Sequence, residues 1–298
     1  MLVALPACPE DDKGAPASAA GAPSTGTSEA IREEARLQQR EAVDRSTNPK
    51  GLPLYAGPLG AVRGVIKVTG DPPPLVPEMI AKLPAEGCPR AHEFERKVYR
   101  QGAERTLADV LVTVTEYQGF IEPKGDAARV EIRGCAFDAR VIALTFGQRL
   151  DVFNLDNQGY MPRLIGTPTY ALRVAMPGGP PVPIFVPRAG PFVLVDHTHD
   201  YVRADLFVLN YPTFDVTGLD GRFEISGVPV GDVKVTAFVP GFGKVLDKRV
   251  KLEAGKTEDL SFEFVFSESE YRASAPAVHQ PEPGAAGREA PPGDLEKH

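Results

Sequence analysis

The 298-residue chain has no tryptophan, three cysteines, four methionines and five histidines, and only 24% of it is charged. Its 33 basic residues are outnumbered by 40 acidic ones, giving a formal charge of −7. That balance excludes a nucleic-acid binder that works by neutralising phosphates. No run of 18 apolar residues occurs, which excludes a spanning helix. Also missing are the GxSxG nucleophile elbow, the GxxxxGK(S/T) phosphate loop, the HExxH zinc motif and a GxGxxG that opens a helix. Gly241-Phe242-Gly243 follows Pro240 among strand-like residues and reads as a turn. A Ser/His/Asp mechanism lacks a nucleophile on a strained turn. The expectation is a protein that is not an enzyme.

What is present points to β structure. The 29 glycines and 30 prolines, with 42% hydrophobic residues, argue against an all-helical bundle and leave enough apolar surface for a core. Residues 61–69, 108–117, 129–133, 140–145, 149–153, 170–175, 182–186, 191–196 and 203–209 read as short strands. Many short strands at this spacing predict a β-sandwich. A second β piece follows at 213–216, 222–226, 232–239, 245–252 and 260–265, with a turn at Gly218-Leu219-Asp220-Gly221. Flanking these, residues 9–60 read as a flexible tether with a charged helix at 28–45, capped by Ser28 and stopped by Asn48-Pro49. Residues 267–298, which carry His279 and His298, read as a disordered tail.

Leu5-Pro6-Ala7-Cys8 resembles a bacterial lipobox, in which Cys8 would receive lipid, and the Ser/Ala/Gly/Pro/Thr tract to Thr27 resembles a lipoprotein tether. Pro6 departs from the usual small residue, and residues 1–8 lack a basic segment and a full apolar stretch. The expectation is a truncated signal whose start lies upstream. If Cys8 carries lipid, Cys88 and Cys135 remain as a disulfide or as two buried thiols, and an oxidising compartment selects the disulfide.

The pattern T-x-x-D-G-x-F-x-I-x-x-V-P-x-G-x-x-x-V, Thr217 to Val235, resembles the carboxypeptidase regulatory-like module, a small transthyretin-like β-sandwich. That resemblance covers 211–266 and implies an accessory unit without catalytic residues. Residues 61–211 resemble a family of plastocyanin-like bacterial periplasmic proteins of cupredoxin fold. The phrases that carry this are Gly64–Pro73, Ala108–Val114, Gly134–Val141, Gly147–Asp156 and His199–Val208.

The family places copper on N-x-D-x-x-x-H and C-x-x-H-x-x-M. Here Asn154 and Asp156 match, but Tyr160 stands for the first His, Asp196 for the Cys and Val202 for the Met, and only His199 survives as a ligand. A blue-copper centre needs the thiolate, so the resemblance implies a cupredoxin that has lost its copper. A sharper alternative uses Asp196, His197 and His199 to hold copper or zinc, with Tyr160 or Asp200 as further ligands. In a strand His197 and His199 would share one face and Asp196 the other; in a loop all three could converge. Asp196 and His199 could also orient a general base, though without an identifiable reaction partner. Tyr160 and Tyr201 flank the vacated ligand positions and could line a shallow pocket.

Together these give an all-β expectation: a cupredoxin-like Greek-key β-sandwich at 61–211, a transthyretin-like sandwich at 212–266, and disordered tails. The expected role is a lipid-anchored scaffold or binding module of the periplasm or outer membrane, without a resident cofactor, facing an envelope protein or glycan. A mononuclear copper or zinc protein and an electron-transfer partner of an oxidoreductase are the alternatives.

Overall fold

The computed structural model describes residues 25–167 and 173–274. Cys8, the signal at 1–8, residues 9–24 of the tract, residues 170–172 of one expected strand and the tail from 275 lie outside them. The chain divides into two units, Met1–Ala42 and Val43–His298. The described part of the first belongs to helix α1 (Thr25–Thr47), whose Glu33 and Arg36 form an exposed ion pair at 3.7 Å. No helix among the described residues is long and apolar enough to cross a membrane.

In chain order the second unit continues with β1 (Leu59–Gly70), α2 (Pro77–Ile80), α3 (Pro89–Glu95), β2 (Leu111–Thr115), β3 (Ala127–Arg133), β4 (Ala136–Phe137) and β5 (Val141–Thr145). Then come β6 (Arg149–Asn154), β7 (Pro162–Leu164), β8 (Val182–Phe185), β9 (Gly190–Asp196) and β10 (Arg203–Leu209). The last elements are β11 (Phe214–Val216), β12 (Arg222–Pro229), β13 (Gly231–Val239), β14 (Lys244–Leu252), β15 (Thr257–Phe266) and α4 (Glu268–Ser274). The fold is all-β, with four sheets and two hydrophobic cores among the described residues.

The inner sandwich packs the sheet β4-β3-β6-β8 against β5-β10-β9-β7. Period-two alternation makes each strand one-sided: Val130 and Ile132 of β3, Leu150 and Val152 of β6, and Ala204, Leu206 and Val208 of β10 point into one core. The outer sandwich packs β12-β1-β15 against β11-β2-β13-β14. Val62, Ile66 and Val68 of β1 meet Phe223, Phe262 and Phe264 there.

The expected boundaries at 61 and at 211/212 do not match this division. β1 lies between β12 and β15, antiparallel to one and parallel to the other, and β2 pairs with β11 and β13. Two strands assigned to the first sandwich therefore complete the second, and the inner sandwich is inserted between β2 and β11. A Cβ on Gly64 of β1 would lie 1.6 Å from the Leu260 carbonyl oxygen of β15, so this crossing admits only glycine.

Smaller departures follow local chemistry. The strand expected at 108–117 is shortened to β2 because Asp109 turns out of the strand to pair with Arg100, at 2.6 Å. Arg173 and Val174 are not strand, and Ala175 only bridges Tyr160. The tether expected up to residue 60 already enters β1 at Leu59. The start of the expected tail forms α4, whose Tyr271 ring packs on Phe266 at 5.9 Å. The turn at Gly218–Gly221 closes as read, with Gly221 N donating to Gly218 O at 2.9 Å and Gly221 at φ +65°.

Candidate functional site

Three loops converge at one end of the inner sandwich: the one after β6, the one after β9, and the turn between β3 and β4. Each is tied down by a side chain that the copper pattern singled out. Asn154 ends β6. Its Nδ2 donates to Gln158 O at 2.6 Å and Ala175 O at 2.8 Å, and its Oδ1 accepts from Asp156 N at 2.9 Å. Asp156 in turn accepts from the backbone N–H groups of Gly134 (2.6 Å) and Cys135 (2.8 Å). Both of those residues have positive φ, +61° and +62°. Two successive N–H groups in such a turn make a small anion cradle, and here Asp156 fills it.

Cys135 is disulfide-bonded to Cys88, with S–S 2.05 Å and Cα–Cα 5.1 Å. Of the two open possibilities, disulfide or free thiols, the structure has the disulfide. It fixes the start of α3 to the β3–β4 turn, directly beneath the loop end.

Tyr160, where the family has its first His, is fully buried. Its hydroxyl donates to Asp156 Oδ2 at 2.8 Å and accepts from Gln158 Nε2 at 2.7 Å. Burial raises the phenol well above its ordinary value, so it stays protonated. A neutral phenol held by two partners is a structural filler here and offers no free donor to a metal.

Asp196 ends β9 and occupies the Cys position, and it is 1% exposed. Its Oδ1 accepts from Thr198 N (3.0 Å), Thr198 Oγ1 (2.7 Å), His199 N (2.8 Å) and His199 Nδ1 (2.8 Å), while Oδ2 accepts from Met161 N. Burial alone would raise this carboxyl, but the donors from Thr198, Met161 and His199 together hold it below its ordinary value. An ionised carboxylate only accepts hydrogen bonds, so His199 Nδ1 carries a proton toward it, leaving Nε2 as the one free ring nitrogen. The imidazole is about one-third exposed and lies edge-on to Tyr160 at 5.9 Å and to Tyr201 at 5.7 Å.

The remaining candidates do not join this set. His197 has an exposed side chain, and its backbone N–H donates to Met161 O at 2.9 Å. Asp200 pairs on the surface with Lys82, at 2.6 Å. Val202, in the Met position, is fully buried. Among the described residues no three His, Cys, Asp or Glu side chains are grouped as a metal set. The donor set therefore does not fit copper at the family position: the thiolate and thioether are absent, Tyr160 and Asp196 are taken up by protein hydrogen bonds, and of the four ligand positions only His199 offers a ring nitrogen.

No family model matches this chain. No curated protein matches it either. Among solved structures it is similar over part of its length to copper proteins. One is the Cu-containing nitrite reductase from Thermus scotoductus SA-01 (18% identity, 32% of this chain and 25% of that one, TM-score 0.24). Another is a Cu(I) form of an amicyanin point mutant (16%, 33% and 97%, TM-score 0.24). A third is amicyanin from Paracoccus versutus (14%, 33% and 96%, TM-score 0.25). This chain thus spans about a quarter of the nitrite reductase it matches. At TM-scores this low the likeness decides no ligand and no activity.

Two residues that close the loop end went unnoticed in the sequence. Thr198 supplies two of the donors to Asp196, and Gln158 links Tyr160 to the neighbourhood of the Cys135 sulfur at 3.7 Å. An Asp followed by Thr two places on is an Asx-turn pattern, so Thr198 could have been found. Gln158 leaves no such trace.

Proposed function

We propose that this chain is a non-enzymatic, lipid-anchored protein of the bacterial periplasm or outer membrane. In this reading its inner sandwich is a cupredoxin-like body without copper that serves as a binding or scaffold module toward an envelope protein or a glycan. The observation that carries it is that Asp196 stands at the thiolate position with its oxygens saturated by Met161, Thr198 and His199 donors, while Tyr160 and Val202 fill two further ligand positions as buried side chains. Held in this way, Asp196 braces two loops and has no lone pair left for a soft metal, and no thiolate stands in its place. The Cys88–Cys135 bridge is in keeping with an oxidising compartment. The lipobox-like Leu5-Pro6-Ala7-Cys8, followed by a Ser/Ala/Gly/Pro/Thr tract, supports the anchor.

Copper titration of the purified protein tests the reading. Cu(II) should give no intense copper–thiolate absorption and no stoichiometric binding that His199→Ala removes. A visible charge-transfer band would restore the electron-transfer alternative. A stoichiometric metal lost in both His197→Ala and His199→Ala would install the mononuclear metal site. For the anchor, labelling with a radioactive fatty acid in a bacterial host should depend on Cys8, and labelling that persists in Cys8→Ser overturns it.

A further inference from the structure

Where the two sandwiches meet, a cavity of about 180 Å³ opens between α2, the end of α3, the segment before β5, the start of β10, the turn after β13 and α4. Its polar lining is Glu95, Arg140, Arg203 and Asp205, with Tyr271 at the rim and Met79 on the apolar side. Glu95 is 6% exposed, yet its carboxyl makes no hydrogen bond and no ion pair within 4.0 Å to a described residue, and the Arg203 guanidinium makes none either. Arg140 is engaged only at the backbone, through Lys97 O at 3.0 Å. Arg140, Arg203 and Asp205 are half-buried, and the nearly buried Glu95 turns a carboxyl without a protein partner toward the same water-accessible space. The groups are aimed at a shared space.

We propose that this cavity is a binding site for a small monocarboxylate, an anion of acetate or propionate size. A planar carboxylate matches the fork of a guanidinium, and two guanidiniums line the space. Met79, Val98 and Ala204 would cover the short alkyl end. The pocket is partly open to solvent, so a short carboxylate can enter with its charged end toward the arginines.

Charge balance selects a monoanion. The ionisable groups facing Glu95 are Arg140, Arg203, Asp205 and, behind them, Asp109, which Arg100 neutralises. Burial pushes Glu95 up to about 7, with the two arginines opposing and the two aspartates adding to the rise. With Glu95 protonated, two arginines against Asp205 leave one positive charge to be matched, and the Glu95 O–H can donate to the ligand. Once Glu95 ionises, that surplus is gone. Binding is therefore linked to the uptake of one proton.

Calorimetric titration of the full chain with acetate, propionate, inorganic phosphate and sulfate at pH 6 and pH 8.5 tests this. Acetate or propionate should bind one to one at pH 6 and roughly 30-fold more weakly at pH 8.5, from the fraction of Glu95 protonated at each pH. Glu95→Gln, near-isosteric and free of the buried charge, should bind with the same affinity at both values. Arg203→Met should lose binding while keeping its thermal midpoint at pH 6 within a few degrees. A cavity that holds only water gives no saturable heat with either carboxylate and overturns the proposal. Phosphate or sulfate binding without carboxylate binding overturns the ligand class, and unaltered binding in Arg203→Met overturns the location.

Discussion

Two carboxylates are almost equally hidden in this protein, and they have opposite fates. Asp196, at the loop end of the inner sandwich, is 1% exposed and receives hydrogen bonds from Met161, Thr198 and His199. Glu95, at the seam between the sandwiches, is 6% exposed and receives none from the described residues. The first is held below its ordinary value and the second is pushed to about 7. Burial alone therefore does not say whether an acid is braced or poised; the donors around it decide. The two also act on stability in opposite directions of pH. Asp196 contributes stability above its unfolded value, lost as pH falls through its folded one. Glu95 contributes stability that is complete below about 4.5 and is lost as pH rises through about 7.

Removing the braced acid should have the largest effect. Asp196→Ala leaves the Met161, Thr198 and His199 N–H groups without their acceptor, and should cost about 3–5 kcal/mol in urea unfolding at neutral pH. A loss below about 1 kcal/mol would mean that water reaches the loop end and that the bracing is unimportant. The disulfide links the two regions, since Cys88 heads the helix that ends in Glu95 and Cys135 sits in the turn held by Asp156. The bridge spans a sequence separation of 47 residues. The double replacement Cys88→Ser with Cys135→Ser should cost roughly 3–4 kcal/mol by the chain-entropy account, visible as a lower urea midpoint than that of the oxidised protein.

The poised acid should show itself through pH. Glu95→Gln should match the parent protein near pH 4.5 and exceed it by about 2–3 kcal/mol at pH 8, because the glutamine never has to be buried as an anion. Parallel urea curves at the two pH values read this directly. A constant offset between the two proteins would place the effect in packing and erase the contrast with Asp196.

How much of this was legible follows from how local each feature is. The strands at 129–133, 203–209 and 222–226 were legible because period two is written in neighbouring residues, and Val130, Ile132, Phe223 and Ile225 are indeed buried. Alternation could not say which strand β1 would pair with, because that choice is made far along the chain, at Phe223 and Phe262. α2 and α3 passed unread: four and seven residues, each opened by a proline, are too short to show a helical period. In the candidate site, the loss of the sulfur donors was visible residue by residue. The Asp196–His199 contact was not, because it depends on the strand ending at Asp196 and turning. Glu95, inside the charged run His92-Glu93-Phe94-Glu95-Arg96-Lys97, looks like a solvated side chain, and its burial comes from tertiary packing that the local sequence does not show.

The smallest effect separates filler from ligand at Tyr160. Tyr160→Phe keeps the ring that fills the first His position and removes only the hydroxyl between Asp156 and Gln158. Asp156 retains the Gly134 and Cys135 donors and Asn154 still holds the loop, so the loss should be about 1 kcal/mol, the net worth of a typical hydrogen bond with its partners able to relax. Chemical shifts of His199 should barely move, because Nδ1 is held by Asp196 and the Tyr160 ring remains in place. If His199 instead shifts strongly, or the protein loses more stability than Asp196→Ala does, then the two loops form one coupled network, and the bracing acid would have to be regarded as Asp156 and Asp196 acting together.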